Sequence, residues 1–426
     1  MRSNPGTTAS TFVAIALIAG APALAQVSPT PGLGVGDIPA WLNEALARES
    51  GPFDARPFTL PERAFKAELR GASVSAAQET SRGWYVTVDI EAITPMECWV
   101  FTSPVDMAAT LRNITEQNLA ASARASGPIT DRGIYFLDAG VIERSAYMSI
   151  ETLYSMQAGD ENRPGFAKVR IARADDLMFA CSHNQLGFRE TFADSFEHFV
   201  RSASFERQSV QPFYRQVYRQ AMDGLGLGII EQTMAIDGDG DLALTSIDSM
   251  LVPETNAAAN ASDTYDYGFL RPGFEIINFR SIRAANGEIF YNLNFQPAGE
   301  NVYQVIGEAA GEEFNFPIED QQGPASLAER MLALQELLAD PERSAITFRS
   351  WQPDANLGTL TETTIDFGDD GKESLTATVS SGENSASVVM DQYGSYVGTR
   401  ISVEQGEFSI ERVLVEGQAE RLARFE

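Results

Sequence analysis

The run Asp237-Gly238-Asp239-Gly240-Asp241 sets three carboxylates at alternate positions. A calcium loop has this arrangement, because Ca²⁺ collects roughly six to eight hard oxygens. Counted from Asp237, Leu244 stands eighth and Asp248 twelfth, both as in a helix–loop–helix calcium site. The sixth position, however, is Leu242 where that loop needs glycine, and the twelfth is Asp in place of a longer, bidentate Glu. The flanks are strand-like. Asp-Gly repeats are also ordinary hairpin chemistry, since Asp bonds its own downstream amides and Gly accepts left-handed backbone. Asp366-Phe367-Gly368-Asp369-Asp370-Gly371 is a second instance. The expectation is a turn with no cofactor, and Ca²⁺ on Asp237, Asp239 and Asp241 is the competing reading.

Cys98 and Cys181 are the two cysteines of the chain. An even pair in an exported protein is most simply a disulfide. Cys181 and His183 lie two apart on an apparent strand, hence on one face, where a histidine could activate a thiolate. An exported lone thiol would be oxidised and no third residue orients the pair, so the disulfide is preferred. His183 and His198, the only histidines, lack zinc-like spacing and are expected at the surface. Gly-x-Ser-x-Gly, His-Glu-x-x-His and Ser-x-x-Lys do not occur, which removes the commonest serine hydrolases, zinc proteases and penicillin-binding enzymes. Paired carboxylates of the glycosidase kind carry no distinguishing mark among 59 acidic residues.

Arg2, the apolar stretch from Phe12 to Ala19 and Ala23-Leu24-Ala25 read as a secretory signal peptide over residues 1–25, cleaved near Ala25. The stretch is far shorter than the ~20 residues a bilayer span requires, and no later segment is long and apolar enough, so no integral membrane segment is expected. The mature protein is expected in the periplasm or secreted. A net charge of −28, with lysine only at Lys66, Lys168 and Lys372, repels phosphate backbones and anionic bilayer surfaces, which disfavours nucleic acid and membrane-surface partners.

The elements that must position these residues read as an α+β chain. Residues 26–54 form a leader and a short helix, capped by Asp37 and carrying Leu42 and Leu46. Residues 55–205 read as an antiparallel sheet with packed helices. Strands near 69–77, 84–91 and 98–101 come first, then a helix starting at Ser103-Pro104. Four strands follow near 129–139, 145–157, 165–173 and 176–183, and a closing helix aligns Phe192, Phe196 and Phe199. This element order is similar to that of the small α+β domains typified by the photosystem extrinsic protein PsbP. Residues 206–228 read as a helical connector, Val210 to Asp223, ended by the glycine string 224–228. That string follows a helix and opens a strand, the reverse of a dinucleotide loop.

Residues 229–426 carry period-two patterning: about a dozen antiparallel strands, many joined by turns such as Asn286-Gly287 and Gln405-Gly406. One helix interrupts them, Pro324 to Ala339, with Leu327, Met331, Leu334 and Leu338 on a stripe and Leu332 and Leu337 off it. A helix apolar on more than one side is covered on more than one side. The expectation is a curved sheet or half-barrel around one central helix, which resembles the periplasmic lipoprotein carriers in arrangement. Leu327, Met331, Leu334, Leu338, Tyr291 and Phe295 are then expected to line a cavity. The functional expectation is a non-catalytic exported protein that binds an apolar ligand or a cell-envelope protein partner. The competing expectations are a hydrolase of envelope or extracellular polymer acting through carboxylates, and a structural subunit of an envelope assembly. A cleft with a perturbed carboxylate would mark the former, a broad flat apolar patch the latter.

Overall fold

The computed structural model describes residues 39–61, 64–102, 106–207, 209–255, 257–320, 323–354, 357–368, 371–382, 384–403 and 406–425. The signal peptide expected over residues 1–25, the expected leader and its Asp37 cap, the expected Ser103-Pro104 helix start and the turn residues Asp369, Asp370 and Gln405 lie outside the described residues.

The first half contains α1 (Ala40–Leu46), β1 (Ala55–Thr59), β2 (Lys66–Arg70), β3 (Ser73–Val74), β4 (Gln78–Thr80), β5 (Gly83–Asp89), β6 (Met96–Phe101), α2 (Met107–Ser126), β7 (Ile129–Ile142), β8 (Ser145–Ala158), β9 (Glu161–Ala174), β10 (Leu177–His183) and α3 (Arg189–Ser202). One antiparallel sheet runs β3-β5-β6-β10-β9-β8-β7, with β4 on β5, while β1 and β2 pair separately. Alternation along β10 assigns its two faces. Phe179 and Cys181 pack with Phe192, Phe196 and Phe199 of α3, whereas Met178 and Ala180 face Met107, Leu111 and Ile114 of α2.

Cys98 and Cys181 are register partners on β6 and β10 and form a disulfide with Cα atoms 4.1 Å apart. His183 corrects the surface expectation. Both faces of β10 are covered, so its ring is 1% exposed, with Nε2 3.2 Å from the Thr94 carbonyl oxygen. Burial, reinforced by Lys168, pushes its pKa down to about 3 and keeps the ring neutral. His198 is half-buried and lies 3.0 Å from a Glu68 carboxylate oxygen.

The second half contains β11 (Tyr214–Met222), β12 (Leu225–Ile236), β13 (Leu242–Thr255), β14 (Ala258–Leu270), β15 (Ile276–Ala285), β16 (Glu288–Gly299), β17 (Val302–Ala309), β18 (Glu312–Glu319), α4 (Leu327–Ala339), β19 (Ala345–Trp351), β20 (Leu360–Asp366), α5 (Gly371–Ser374), β21 (Thr376–Ser381), β22 (Asn384–Met390), β23 (Tyr396–Val403), β24 (Gly406–Gly417) and a closing 3-10 turn, Ala419–Arg424. The fourteen strands make one sheet, ordered β18-β17-β16-β15-β14-β13-β12-β11-β24-β23-β22-β21-β20-β19. The first and last strands of the half, β11 and β24, pair in the middle. The edges β18 and β19 are consecutive in the chain, and α4 lies between them.

The sheet curls round that helix. Leu327, Ala328 and Met331 of α4 pack with Leu293 and Phe295 of β16, and Leu334 and Leu337 pack with Val379, Val388 and Met390 of β21 and β22. The Trp351 ring of edge strand β19 stacks 5.2 Å from Phe295. Asp320, just past β18, accepts from Arg349 of β19 at 2.8 Å. The two edges therefore approach without pairing.

The helical connector expected at 210–223 is a correction: Tyr214–Met222 is β11, joined to β12 by a turn at Asp223-Gly224. Its apolar residues Tyr214, Val217, Tyr218 and Ala221 fall at helical spacing, but they belong to two faces of a strand buried on both sides. The sheet also contains β14, which the sequence reading passes over because Asn260, Asp263, Thr264 and Asp266 are polar.

The two halves join where β7 and β8 lie against β11 and β12, and through α2. Its outward side packs on β13 and β14, and Asp263 of β14 accepts from the Ala108 and Ala109 amides at 3.0 and 2.9 Å. A carboxylate from 155 residues away thus takes the N-terminal capping role, satisfying amides that have no intrahelical partner and meeting the positive helix end. Beside it, Glu231 of β12 binds Arg173 of β9 and Arg215 of β11 at 3.0 and 2.7 Å.

Candidate functional site: the barrel interior

α4 begins with a capping box: Ser326 Oγ accepts from the Glu329 amide at 3.2 Å, and Glu329 Oε2 accepts from the Ser326 amide at 2.7 Å. Two orphan amides are satisfied by Ser-x-x-Glu, so the helix starts three residues later than Pro324. Ahead of it, the Ala325 amide donates to the Arg349 carbonyl at 2.7 Å, which lays the lead-in across β19. At the other end Lys372 Nζ donates to the carbonyls of Leu337, at 2.6 Å, and Asp340. A cation there suits the negative end of the helix dipole.

The inward stripe is Leu327, Arg330, Met331, Leu334 and Leu337, all buried. Leu327, Met331 and Leu334 line a cavity of about 40 Å³ together with Arg330, Tyr396 and Ile410. Leu338 does not reach it. That side chain is half-buried beside the Leu334 and Phe348 cluster, and Leu337 takes the fully buried position. Tyr291 and Phe295 are not among the residues lining this cavity; both are buried in the core cluster that includes Leu327 and Met331, where Phe295 is stacked between Tyr303 at 5.0 Å and Trp351 at 5.2 Å. A second cavity, about 30 Å³, lies under the lead-in and is lined by Asp266, Phe279, Ser281, Arg330 and Trp351 among others. Arg330 is common to both.

The interior also carries polar side chains that bond one another across strands. Gln216 donates to Gln232 at 2.8 Å, Gln220 to Asp248 at 2.6 Å and Ser281 to Asp266 at 2.5 Å. Arg283 pairs with Asp354 at 2.7 Å. Such mutual satisfaction is what burial of polar groups demands. Burial, helped by the charges of Asp354 and Asp248, pushes Asp266 up to about 7 against the Ser281 hydrogen bond. Burial lowers Arg330 to about 10, against the opposing pull of Tyr396 and Glu329. Sequence reasoning missed Arg330, although a signal existed: it stands three past Leu327 and four before Leu334, a charged residue at a core position of the stripe.

The Asp237–Asp241 segment is the β12–β13 hairpin turn. Asp237 Oδ1 accepts from the Asp239 and Asp241 amides at 2.9 and 3.0 Å, so this carboxylate serves the turn itself. Among the described residues no three His, Cys, Asp or Glu side chains converge on one point. A roomier groove, about 250 Å³, opens at the rim of the first sheet between Arg144, Arg201, Arg207 and Asp175. Its arginines are engaged with carboxylates, Arg207 to Asp175 at 2.7 Å and Arg144 to Glu416 at 2.5 Å.

Fold and site together define a mostly antiparallel β protein with one sheet curled about a helix. No helix among the described residues is long and apolar enough to cross a membrane. No family model and no curated protein matches the chain. Among solved structures it is similar to a β-barrel-like protein of domain of unknown function DUF1849 from Brucella abortus, at 11% identity and TM-score 0.36, covering 49% of this chain and 99% of that one. It is also similar to cyanobacterial PsbP from Synechocystis, at 13% identity and TM-score 0.24, covering 36% and 94%. A porin-like protein from Bacteroides uniformis matches at 8% identity and TM-score 0.14, covering 68% and 98%.

Proposed function

We propose that this chain is an exported, non-catalytic binding protein that takes a largely apolar, amphipathic ligand into its barrel beside α4. The observation that carries the reading is the seat of α4 inside the curled sheet, packed on β16, β21 and β22, with Leu327, Met331 and Leu334 on a cavity. That cavity of about 40 Å³ holds a few waters, so a hydrocarbon ligand enters by displacing the helix side chains that now fill the space. Those contacts are mostly apolar and non-directional, and Met331 is unbranched and repacks readily. The Cys98–Cys181 disulfide and the signal peptide read over residues 1–25 support export to the periplasm or beyond. An envelope protein, inserting an apolar segment into the same space, is the competing occupant.

A hydrolase reading draws on Asp266, whose pKa is pushed up to about 7 in a cavity wall, as a general acid requires. It ranks second because Ser281 occupies that carboxylate and Arg283 neutralises Asp354.

Native mass spectrometry of the mature protein, gently extracted from its own compartment, tests the binding reading. We expect an adduct of lipid-like mass that denaturation releases. A bare chain that stays bare after incubation with envelope lipid extract would contradict it.

A further inference from the structure

We infer that the seam between β18 and β19 is the gate through which a ligand reaches the barrel interior, latched by the Arg349–Asp320 ion pair. The inference rests on the binding reading above and adds how that site is opened. Neighbouring strands elsewhere in the sheet are held by ladders, and even the thinnest, β20–β21 and β22–β23, keep three register pairs each. The strand order ends at β18 and β19, which do not pair with one another. They are spanned by the ion pair from Arg349 to Asp320 at 2.8 Å and by the Ala325 amide on the Arg349 carbonyl at 2.7 Å. Behind these the Trp351 ring closes the inner side on Phe295. Parting two paired strands breaks a row of backbone bonds, whereas parting this seam breaks mostly side-chain contacts. It is the place where the sheet opens at least cost.

The latch is made to release without stranding a charge. On its own side of the seam, Arg349 Nε lies 3.7 Å from Glu362 Oε2, its register partner on β20. On the other side, the Asp320 amide donates to the Asn301 carbonyl at 3.0 Å, and the Asp320 carboxylate also accepts from the Gly323 amide at 3.2 Å. Each charge therefore keeps a partner when the edges part. The arginine side chain is 39% exposed, so water meets it in either state and the pair is weak. The seam also leads to the site. The second cavity is walled by Ser350 and Trp351 of β19 and by Pro324, Ala325 and Ser326, and it shares Arg330 with the first. A guest that passes Trp351 reaches the first cavity beside Arg330. α4 follows β18 and precedes β19 in the chain, so opening the edges loosens both of its tethers, as its displacement by a ligand requires.

The test is stopped-flow uptake and release of N-phenyl-1-naphthylamine, a neutral apolar dye that brightens out of water, by the mature protein. Asp320→Cys with Arg349→Cys places two thiols across the seam, to be joined by bismaleimidoethane. The native cysteines are bonded and buried and do not react. Joining the thiols is expected to slow uptake and release together by at least about tenfold against the same protein left unjoined, with the final brightness unchanged. Thr347→Cys with Thr364→Cys, joined in the same way, bridges the paired strands β19 and β20, where the two hydroxyls lie 2.9 Å apart; it is expected to leave both rates unchanged. Arg349→Gln, a single surface change, is expected to speed both rates about threefold, the weight of an exposed ion pair, and leaves the affinity as it was. Uptake as fast with the seam joined, equal slowing by the two crosslinks, or rates unmoved by Arg349→Gln would overturn the gate and leave the binding function standing. No brightening with the wild type would overturn the binding function, and the gate with it.

Discussion

Replacing Cys98 and Cys181 together by alanine is expected to cost the first sheet about 4–5 kcal/mol of stability. The bond joins strands that lie side by side in the sheet but are 83 residues apart in the chain. Cutting it frees the unfolded chain over that whole loop, and loop-closure entropy assigns about 4–5 kcal/mol to such a length. Both sulfurs are fully buried among Val86, Phe179 and Phe196, so their removal also leaves a small void, which adds destabilisation. For a unit of this size the loss lowers the melting temperature by on the order of 10 °C. Urea unfolding followed through Trp84 and Trp99, both in strands of this sheet, reads the effect. An unchanged midpoint would mean that the bond adds nothing to what the packing already secures.

Glu231→Ala is the second large effect, expected at about 3–5 kcal/mol. Glu231 is 7% exposed and accepts from Arg173 at 3.0 Å and Arg215 at 2.7 Å, so it ties β9 of the first sheet to β11 and β12 of the second. Removing the carboxylate leaves two buried guanidinium groups without their shared counter-charge. Breaking a buried ion pair from one side costs about 3–5 kcal/mol. The same residue predicts a pH dependence. Burial pushes its carboxyl up, but the two arginines push it down further, and its pKa falls below the ordinary 4.5. The unfolded chain therefore takes up the proton first as pH falls. Its contribution is fully present above about pH 4.5 and is lost as pH drops through the lower, folded-state pKa. Thermal melts across that acid range are expected to show the wild type losing stability, and Glu231→Ala lacking that component. Parallel pH profiles for the two proteins would contradict the assignment.

What was legible in the sequence depended on whether an element's partner left a local trace. The disulfide was readable because an even cysteine pair in an exported chain has one simple solution. α3 and α4 were readable because Phe192, Phe196 and Phe199, and Leu327, Met331 and Leu334, repeat at helical spacing. β11 and β14 were not. Their inward faces carry Gln216, Gln220, Thr264 and Asp266, so the alternation that marks a half-buried strand vanishes when the interior itself is polar. His183 failed for a related reason, since a strand covered on both faces buries whatever residue it holds. The cap on α2 comes from Asp263, 155 residues downstream, and nothing near Met107 announces it. Of the interior site, the apolar stripe is legible in the sequence and the burial of Arg330 is not. A charge among leucines at helical spacing reads as a stray surface residue until the sheet is seen to curl round it.

The central claim is that the space beside α4 is a ligand site, and bromine placement tests it most directly. Crystals grown with 12-bromododecanoate, with data collected at the bromine edge, give the position of the chain end independently of interpretation. One anomalous peak is expected inside the barrel, on the cavity lined by Leu327, Met331, Leu334, Ile230 and Ile410, with α4 shifted outward. Bromine confined to the arginine-lined groove at the rim of the first sheet, or to the outer surface, with α4 unmoved, would contradict it.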